Sequence, residues 1–94
     1  MPGDASPTVS VTLAPALAKL FPGAPRQLEV PAESVEEMIA ALDARWPGMG
    51  DRICDSTPRI RRHMNVFVDG RRAGLHTPLA PGSAVYILTA ISGG

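Results

Sequence analysis

A single amphipathic helix, set between segments that alternate like β-strands, is the feature that most restricts what this chain can form. Ser34 and Glu37 have the spacing of a capping box, which predicts the helix start, and Pro47 with Gly48 predicts its end. The polar face of this helix, which includes Asp43, is expected to meet water. Because 94 residues have room for one modest core, this helix is expected to be its central element. Its apolar side chains recur at spacings of three and four residues and are Val35, Met38, Ile39, Leu42 and Trp46.

Before this helix, two segments alternate between apolar and polar side chains. Residues 9–13 and 27–30 have the period of two that predicts half-buried strands, and they are expected to pair as a hairpin. Pro15 is expected to end the first strand. The connection between the two strands is expected to contain an apolar cluster of Leu17, Leu20 and Phe21.

After the helix, the pattern again predicts strands. Residues 64–68 alternate and end at Asp69 and Gly70, which favour a two-residue hairpin turn because both tolerate positive φ. A short strand at 71–73 and a longer one at 84–91 are expected to follow, and the longer one is rich enough in β-formers to be central. Residues 49–63 have no firm prediction beyond a short helical turn at their start.

The order of these elements predicts an α+β protein with the β-grasp layout. In this layout a mixed sheet of about five strands carries one main helix on one face, and the first and last strands lie parallel. A right-handed crossover that contains the helix joins the two halves. We expect a disordered leader at residues 1–7, the β-grasp domain at 8–91 and a flexible tail at 92–94.

The sequence offers no recognisable catalytic or metal-binding constellation. His63 and His76 are the only histidines and have no ligand at metal-site spacing. Cys54 is the single cysteine, cannot form an internal disulfide, and is expected to be structural or incidental. No apolar run approaches the roughly 20 residues of a membrane span, and no secretory signal is present. These features predict a cytoplasmic protein that is not an enzyme and binds neither a metal nor a membrane.

The charges are balanced overall but unevenly placed. The formal net charge is zero, which argues against general nucleic-acid binding. Residues 1–55 hold four basic and eight acidic side chains, whereas the remainder holds five arginines and Asp69 as its single acid. The most concentrated basic run is residues 59–63. A solvated face or a protein-docking surface is the first interpretation of this run, and a phosphate or nucleic-acid patch is the second.

The last three residues of the sequence are Ser92, Gly93 and Gly94. A terminal pair of glycines alone is weak evidence, because many chains end in small residues. After a β-grasp order it is more specific, since a tail without Cβ atoms can thread a narrow channel and present its carboxylate to a partner.

Taken together, these segments resemble the ThiS/MoaD-type sulfur carriers, which are ubiquitin-like proteins, and the length is similar to that of the MoaD/CysO branch. The resemblance covers residues 9–94, and its most specific pieces are the helix, residues 65–70, the Pro81–Gly82 turn and the terminal glycines. Ser92 is a mild departure from the small apolar residue that many relatives have at that position, and the resemblance relates it to a particular partner channel.

The resemblance implies a function for Gly94. A ubiquitin-activating-enzyme-like adenylyltransferase would use ATP to adenylate the Gly94 carboxylate, and a sulfur donor would displace AMP to leave a thiocarboxylate. That group would deliver sulfide to a sulfur-acceptor synthase. The carrier would bind no cofactor itself and would be a monomer when free. The resemblance also implies that Phe67, Tyr86 and Leu88, on the exposed face of the sheet, dock on the activating enzyme.

Three alternatives stay open at this point. The chain could be a protein modifier conjugated to lysines through Gly94, the small subunit of a molybdopterin synthase, or a β-grasp binding module whose glycine pair is accidental. The sulfur acceptor is open as well, among cysteine, molybdopterin, thiamin and thio-containing metabolite biosynthesis.

Overall fold

The computed structural model describes residues 7–55 and 59–89 of the chain. Of the predicted leader, residues 1–6 lie outside the described part, and the carbonyl of Pro7 accepts a hydrogen bond from the Ala32 N–H at 2.9 Å. In the described ranges, no helix has both the length and the apolar character needed to cross a membrane. The elements are β1 (Thr8–Leu13), α1 (Pro15–Lys19), β2 (Gln27–Pro31), α2 (Val35–Arg45), α3 (Met49–Ile53), β3 (Met64–Val68), β4 (Arg71–Ala73) and β5 (Ala84–Thr89).

The five strands form one mixed sheet in the order β2-β1-β5-β3-β4. β1 and β5 pair in parallel, with Val11 opposite Val85, and the other three pairings are antiparallel. The parallel pair requires a crossover between the two halves of the chain, and α2 lies in it. The predicted α+β class, the β-grasp layout and the central position of the last strand are all confirmed.

The core lies between α2 and one face of the sheet. Val35, Met38, Ile39 and Leu42 of α2 are buried, as predicted, whereas Trp46 is half-buried at the end of the helix. The sheet contributes every second side chain to this core, which is the consequence of the period-two alternation in the sequence. The buried strand residues are Val9, Val11, Leu13, Val30, Met64, Val66, Val85 and Ile87.

The start of α2 follows the predicted cap with one difference. The Ser34 Oγ accepts the Glu37 N–H at 3.2 Å, as a capping box requires. The Glu37 carboxylate, however, accepts the N–H of Glu33, one residue before the cap, at 3.0 Å. The first turn of α2 is also tied to the segment before β5, because the Val35 N–H donates to the Thr77 carbonyl at 3.0 Å.

Two features differ from the sequence prediction. Pro15 ends β1 but also begins α1, where only Leu17 is buried, and Leu20 is exposed rather than part of an apolar cluster.

The second difference is that the Asp43 side chain is hydrogen-bonded within the fold instead of only facing water. Its Oδ1 accepts the backbone N–H groups of Gly48 and Gly50 at 3.1 and 2.9 Å, which holds α3 against the end of α2.

The turn between β3 and β4 matches its prediction. Asp69 and Gly70 both have positive φ, at 51° and 86°. Asp69 also ties the turn to the start of β5, since its N–H donates to the Ala84 carbonyl at 2.8 Å and its Oδ1 accepts the Ala84 N–H at 3.0 Å. This turn therefore fixes where the central strand begins.

Gly70→Ala is expected to lower the free energy of unfolding by about 1–2 kcal/mol, because a Cβ in the left-handed region meets its own backbone. Gly74→Ala is the matched control, since both glycines have open space at the Cβ position and only Gly70 has a positive φ. Urea unfolding of the two variants measures the difference. Equal stabilities would contradict the account of the turn.

Candidate functional site

The central strand β5 is the described element nearest in sequence to Gly94. It is paired on both sides, with β1 and with β3, and its last residue, Thr89, lies opposite Met64. Five residues follow it in the sequence, 90–94. Fully extended, five residues span at most about 18 Å. The predicted tail residues Ser92, Gly93 and Gly94 lie outside the described residues, so Thr89 is their nearest described anchor.

The three predicted docking residues lie on the face of the sheet away from the core. Tyr86 and Leu88 alternate with buried Val85 and Ile87 and are 45% and 38% exposed, which is high for large apolar side chains. Phe67 of β3 is half-buried and lies directly opposite Tyr86. The sheet therefore brings these side chains together on one face.

Polar side chains flank this apolar group on both sides across the sheet. On one side of Tyr86, Thr12 of β1 lies opposite it and Gln27 of β2 lies opposite Thr12. On the other side, Phe67 of β3 lies opposite Tyr86 and Arg72 of β4 lies opposite Phe67. Aromatic and leucine side chains exposed within a polar rim are typical of surfaces that bind another protein. We call Phe67, Tyr86 and Leu88 the apolar face.

Cys54 lies at the end of α3 and is half-buried. Burial raises the pKa of its thiol, the carboxylate of Asp55 raises it further, and the Arg61 guanidinium acts in the opposite sense. A raised pKa leaves less thiolate at neutral pH, and the thiolate is the nucleophile. The environment of Cys54 is thus unlike that of a reactive cysteine.

Neither the one buried polar side chain of the described residues, Ser83, nor the two histidines have surroundings that suggest chemistry. The Oγ of buried Ser83 accepts the Ala80 N–H at 3.1 Å and shapes the turn before β5. His63 and His76 are both exposed. Over residues 7–55 and 59–89, no three His, Cys, Asp or Glu side chains come together as metal ligands.

Sequence reasoning missed one grouping. The sequence shows the basic run at 59–63, but only the structure places Arg72 and His76 around the same groove as three arginines of that run, Arg59, Arg61 and Arg62. No local pattern indicates this, because the two segments meet only after β3 and β4 have paired.

A five-stranded mixed sheet of this topology, with an amphipathic helix packed on one face, defines the class of ubiquitin-like β-grasp proteins, and solved structures of that class superpose on it. The chain belongs to the ThiS family, whose model matches residues 18–94. This agrees with the resemblance seen in the sequence.

Relatives cover nearly the whole chain. The sulfur carrier protein CysO of Mycobacterium tuberculosis (strain ATCC 25618 / H37Rv) is 29% identical over 93 residues, which are 93% of this chain and 97% of that protein. A chain in the crystal structure of the Amycolatopsis orientalis BexX/CysO complex superposes with a TM-score of 0.79 at 26% identity, covering 92% of this chain and 99% of that one. Small archaeal modifier protein 1 of H. volcanii has a TM-score of 0.78 at 20% identity, with coverages of 92% and 100%, and shares the fold.

Iodoacetamide is expected to alkylate Cys54 more slowly in the folded chain than in urea at about pH 8, because the raised pKa leaves less thiolate. The chain has one cysteine, so the rate belongs to Cys54. Glutathione in the same two buffers corrects for the effect of urea on the reagent. A faster reaction in the folded chain would contradict the assigned environment.

Proposed function

We propose that this chain is a sulfur carrier that works through the carboxylate of Gly94. The observation that carries the proposal is the family match, which extends through Gly94. The likeness to a sulfur carrier protein over 93% of the chain supports it. So does the position of β5, the central strand of the sheet, which ends five residues before Gly94.

The chemistry requires two steps on Gly94. A carboxylate oxygen attacks the α-phosphate of ATP, pyrophosphate leaves, and an acyl adenylate forms, because a free carboxylate is a poor electrophile. Hydrosulfide then attacks the carbonyl carbon, the bond to AMP breaks, and a thiocarboxylate remains. Its sulfur is ionised at neutral pH and is the nucleophile that an acceptor synthase uses.

In this proposal the partner enzyme supplies ATP binding and catalysis, and the carrier supplies a substrate group on a recognisable body. The partner is an adenylyltransferase related to ubiquitin-activating enzymes, and a second partner is the sulfur-acceptor synthase. Gly93 and Gly94 have no Cβ, which suits a narrow channel to the nucleotide. Ordering such a tail costs roughly 1–2 kcal/mol per residue, so contacts to the folded body must offset it. Since ATP is consumed, the cytoplasm is the proposed compartment.

The apolar face is the proposed contact for the activating enzyme. Tyr86 and Leu88 lie on β5, which ends five positions before Gly94, so a partner bound to them is within reach of Gly94. Burying Leu88 and Tyr86 in a partner removes apolar surface from water, which favours binding.

Conjugation to lysines through Gly94 is the second candidate, because a protein modifier shares this fold. The two functions differ in their product. A carrier accumulates a thiocarboxylate, whereas a modifier accumulates high-mass conjugates.

Incubation with the cognate activating enzyme, ATP and sulfide is expected to add the mass difference between sulfur and oxygen to the intact protein. Intact-protein mass spectrometry measures this gain and also checks that Gly94 carries a free carboxylate. The chain without Gly94 is the control and is expected to stay unchanged. If the full chain gains no mass while a known carrier is converted in a parallel reaction with its own enzyme, the proposal is wrong.

Leu88→Asp is expected to slow activation by on the order of tenfold, because a charge on the apolar face must be desolvated for binding. Leu20→Asp is the matched control: Leu20 is 52% exposed but lies at the end of α1, outside the apolar face. The rate of ATP-dependent adenylation reports both effects. Equal rates for Leu88→Asp and the unchanged chain would exclude this face as the contact.

A further inference from the structure

A groove of about 480 Å³ opens where β3 extends beyond β4. β4 pairs only with Val66–Val68, so Met64 and Asn65 lie past its end. Residues 59–62 and 72–76 line the groove together with this part of β3. We call it the basic groove.

Positive charge is concentrated there. The groove is lined by Arg59, Arg61, Arg62, Arg72 and His76, and no Asp or Glu is among its described lining residues. Four of the nine Lys and Arg side chains of the sequence therefore surround one groove. Arg61 is already oriented, since its Nε donates to the Asp51 carbonyl at 2.7 Å. Like charges held together repel one another, and an anionic partner relieves that repulsion.

The lining of the groove favours a peptide over a nucleic acid. Its apolar part comes from half-buried Ile60 and Leu75 with buried Met64 and Val66. No Phe, Tyr or Trp is among the described lining residues, so the groove lacks the large aromatic platforms on which the bases of single-stranded nucleic acids stack. In a peptide segment whose apolar residue is flanked by acidic residues, the apolar side chain can contact the apolar lining while the carboxylates pair with the arginines.

The position of the groove indicates which protein supplies that segment. Asn65 pairs with Leu88 and Met64 with Thr89, so the groove adjoins both the apolar face and the end of β5. An enzyme that holds Gly94 in its active site comes within about 18 Å of Thr89, because Gly94 is only the fifth residue after Thr89. Such an enzyme lies close enough to contact the groove.

We propose that the basic groove binds an acidic segment of the enzyme that activates Gly94. This inference rests on the proposed function and adds to it a charge-based contact separate from the apolar face. Opposite charges on the two proteins raise the rate of encounter and fix the orientation of the carrier relative to the active site.

The first test is an NMR titration of the full chain with the blocked peptide Glu-Leu-Glu-Leu-Glu. The largest amide shifts are expected in residues 59–66 and 72–76, and they are expected to weaken as salt is added. The same peptide with lysine in place of glutamate is the control. No shifts in these segments, or larger shifts with an oligothymidylate of similar length, would overturn the proposal.

The second test uses charge reversal in the activation assay. The double variant Arg59→Glu/Arg62→Glu is expected to raise KM for the carrier on the order of tenfold with kcat unchanged, because encounter is weakened and chemistry is not. Both side chains are exposed, so the fold is expected to be retained. Lys19→Glu/Arg45→Glu makes the same change in net charge at exposed residues outside the groove and is expected to leave KM within about twofold.

The two proposals fail in different ways. If the unchanged chain forms no thiocarboxylate, the proposed function is wrong, and the peptide titration still tests the groove. If the unchanged chain is converted and both double variants have the same KM, the groove proposal is wrong and the proposed function stands.

Discussion

The parallel pairing of β1 with β5 is the constraint on which the rest of this structure depends. Parallel strands cannot be joined by a tight turn, so the chain between them must cross over, and α2 packs on the sheet as part of that crossover. The same pairing places β5 in the centre of the sheet, with a neighbour on each side. A central strand is held by two sets of backbone hydrogen bonds and by buried Val85 and Ile87, which makes it the best-anchored element from which a short tail could extend.

Because the side chains of β5 point alternately to the core and to the outer face, the same strand contributes to stability and to the proposed recognition. Val85 and Ile87 pack on the helical side, while Tyr86 and Leu88 stay exposed. The proposed carrier function needs such a division, since a chain of this size has little room for an active site and must instead be bound by enzymes that have one. Leu88 of the apolar face and the Met64–Asn65 part of the basic groove both lie beside the end of β5, whose last residue precedes Gly94 by five positions in the sequence.

The sequence predicted those elements whose cause is local. The α2 helix follows from its cap and its periodicity, the Asp69–Gly70 turn from the two residues that tolerate positive φ, and the positions of Phe67, Tyr86 and Leu88 from alternation. What depends on contacts between distant segments was not predictable. The bonds from Gly48 and Gly50 to Asp43 depend on how α3 folds back on α2, and the basic groove depends on the β3–β4 hairpin carrying Arg72 toward Arg61.

The most direct test of the central claim is the chemical state of Gly94 in the cells that make this protein. The native chain would be isolated in the presence of a thiol alkylating reagent at mildly acidic pH, where a thiocarboxylate is ionised and Cys54, with its raised pKa, is not. Fragmentation of the intact protein then locates the added group. The account predicts alkyl label on the sulfur of a Gly94 thiocarboxylate, and it predicts that the label persists in a Cys54→Ala chain. Label on Cys54 alone, with Gly94 an unmodified carboxylate in actively growing cells, would contradict it.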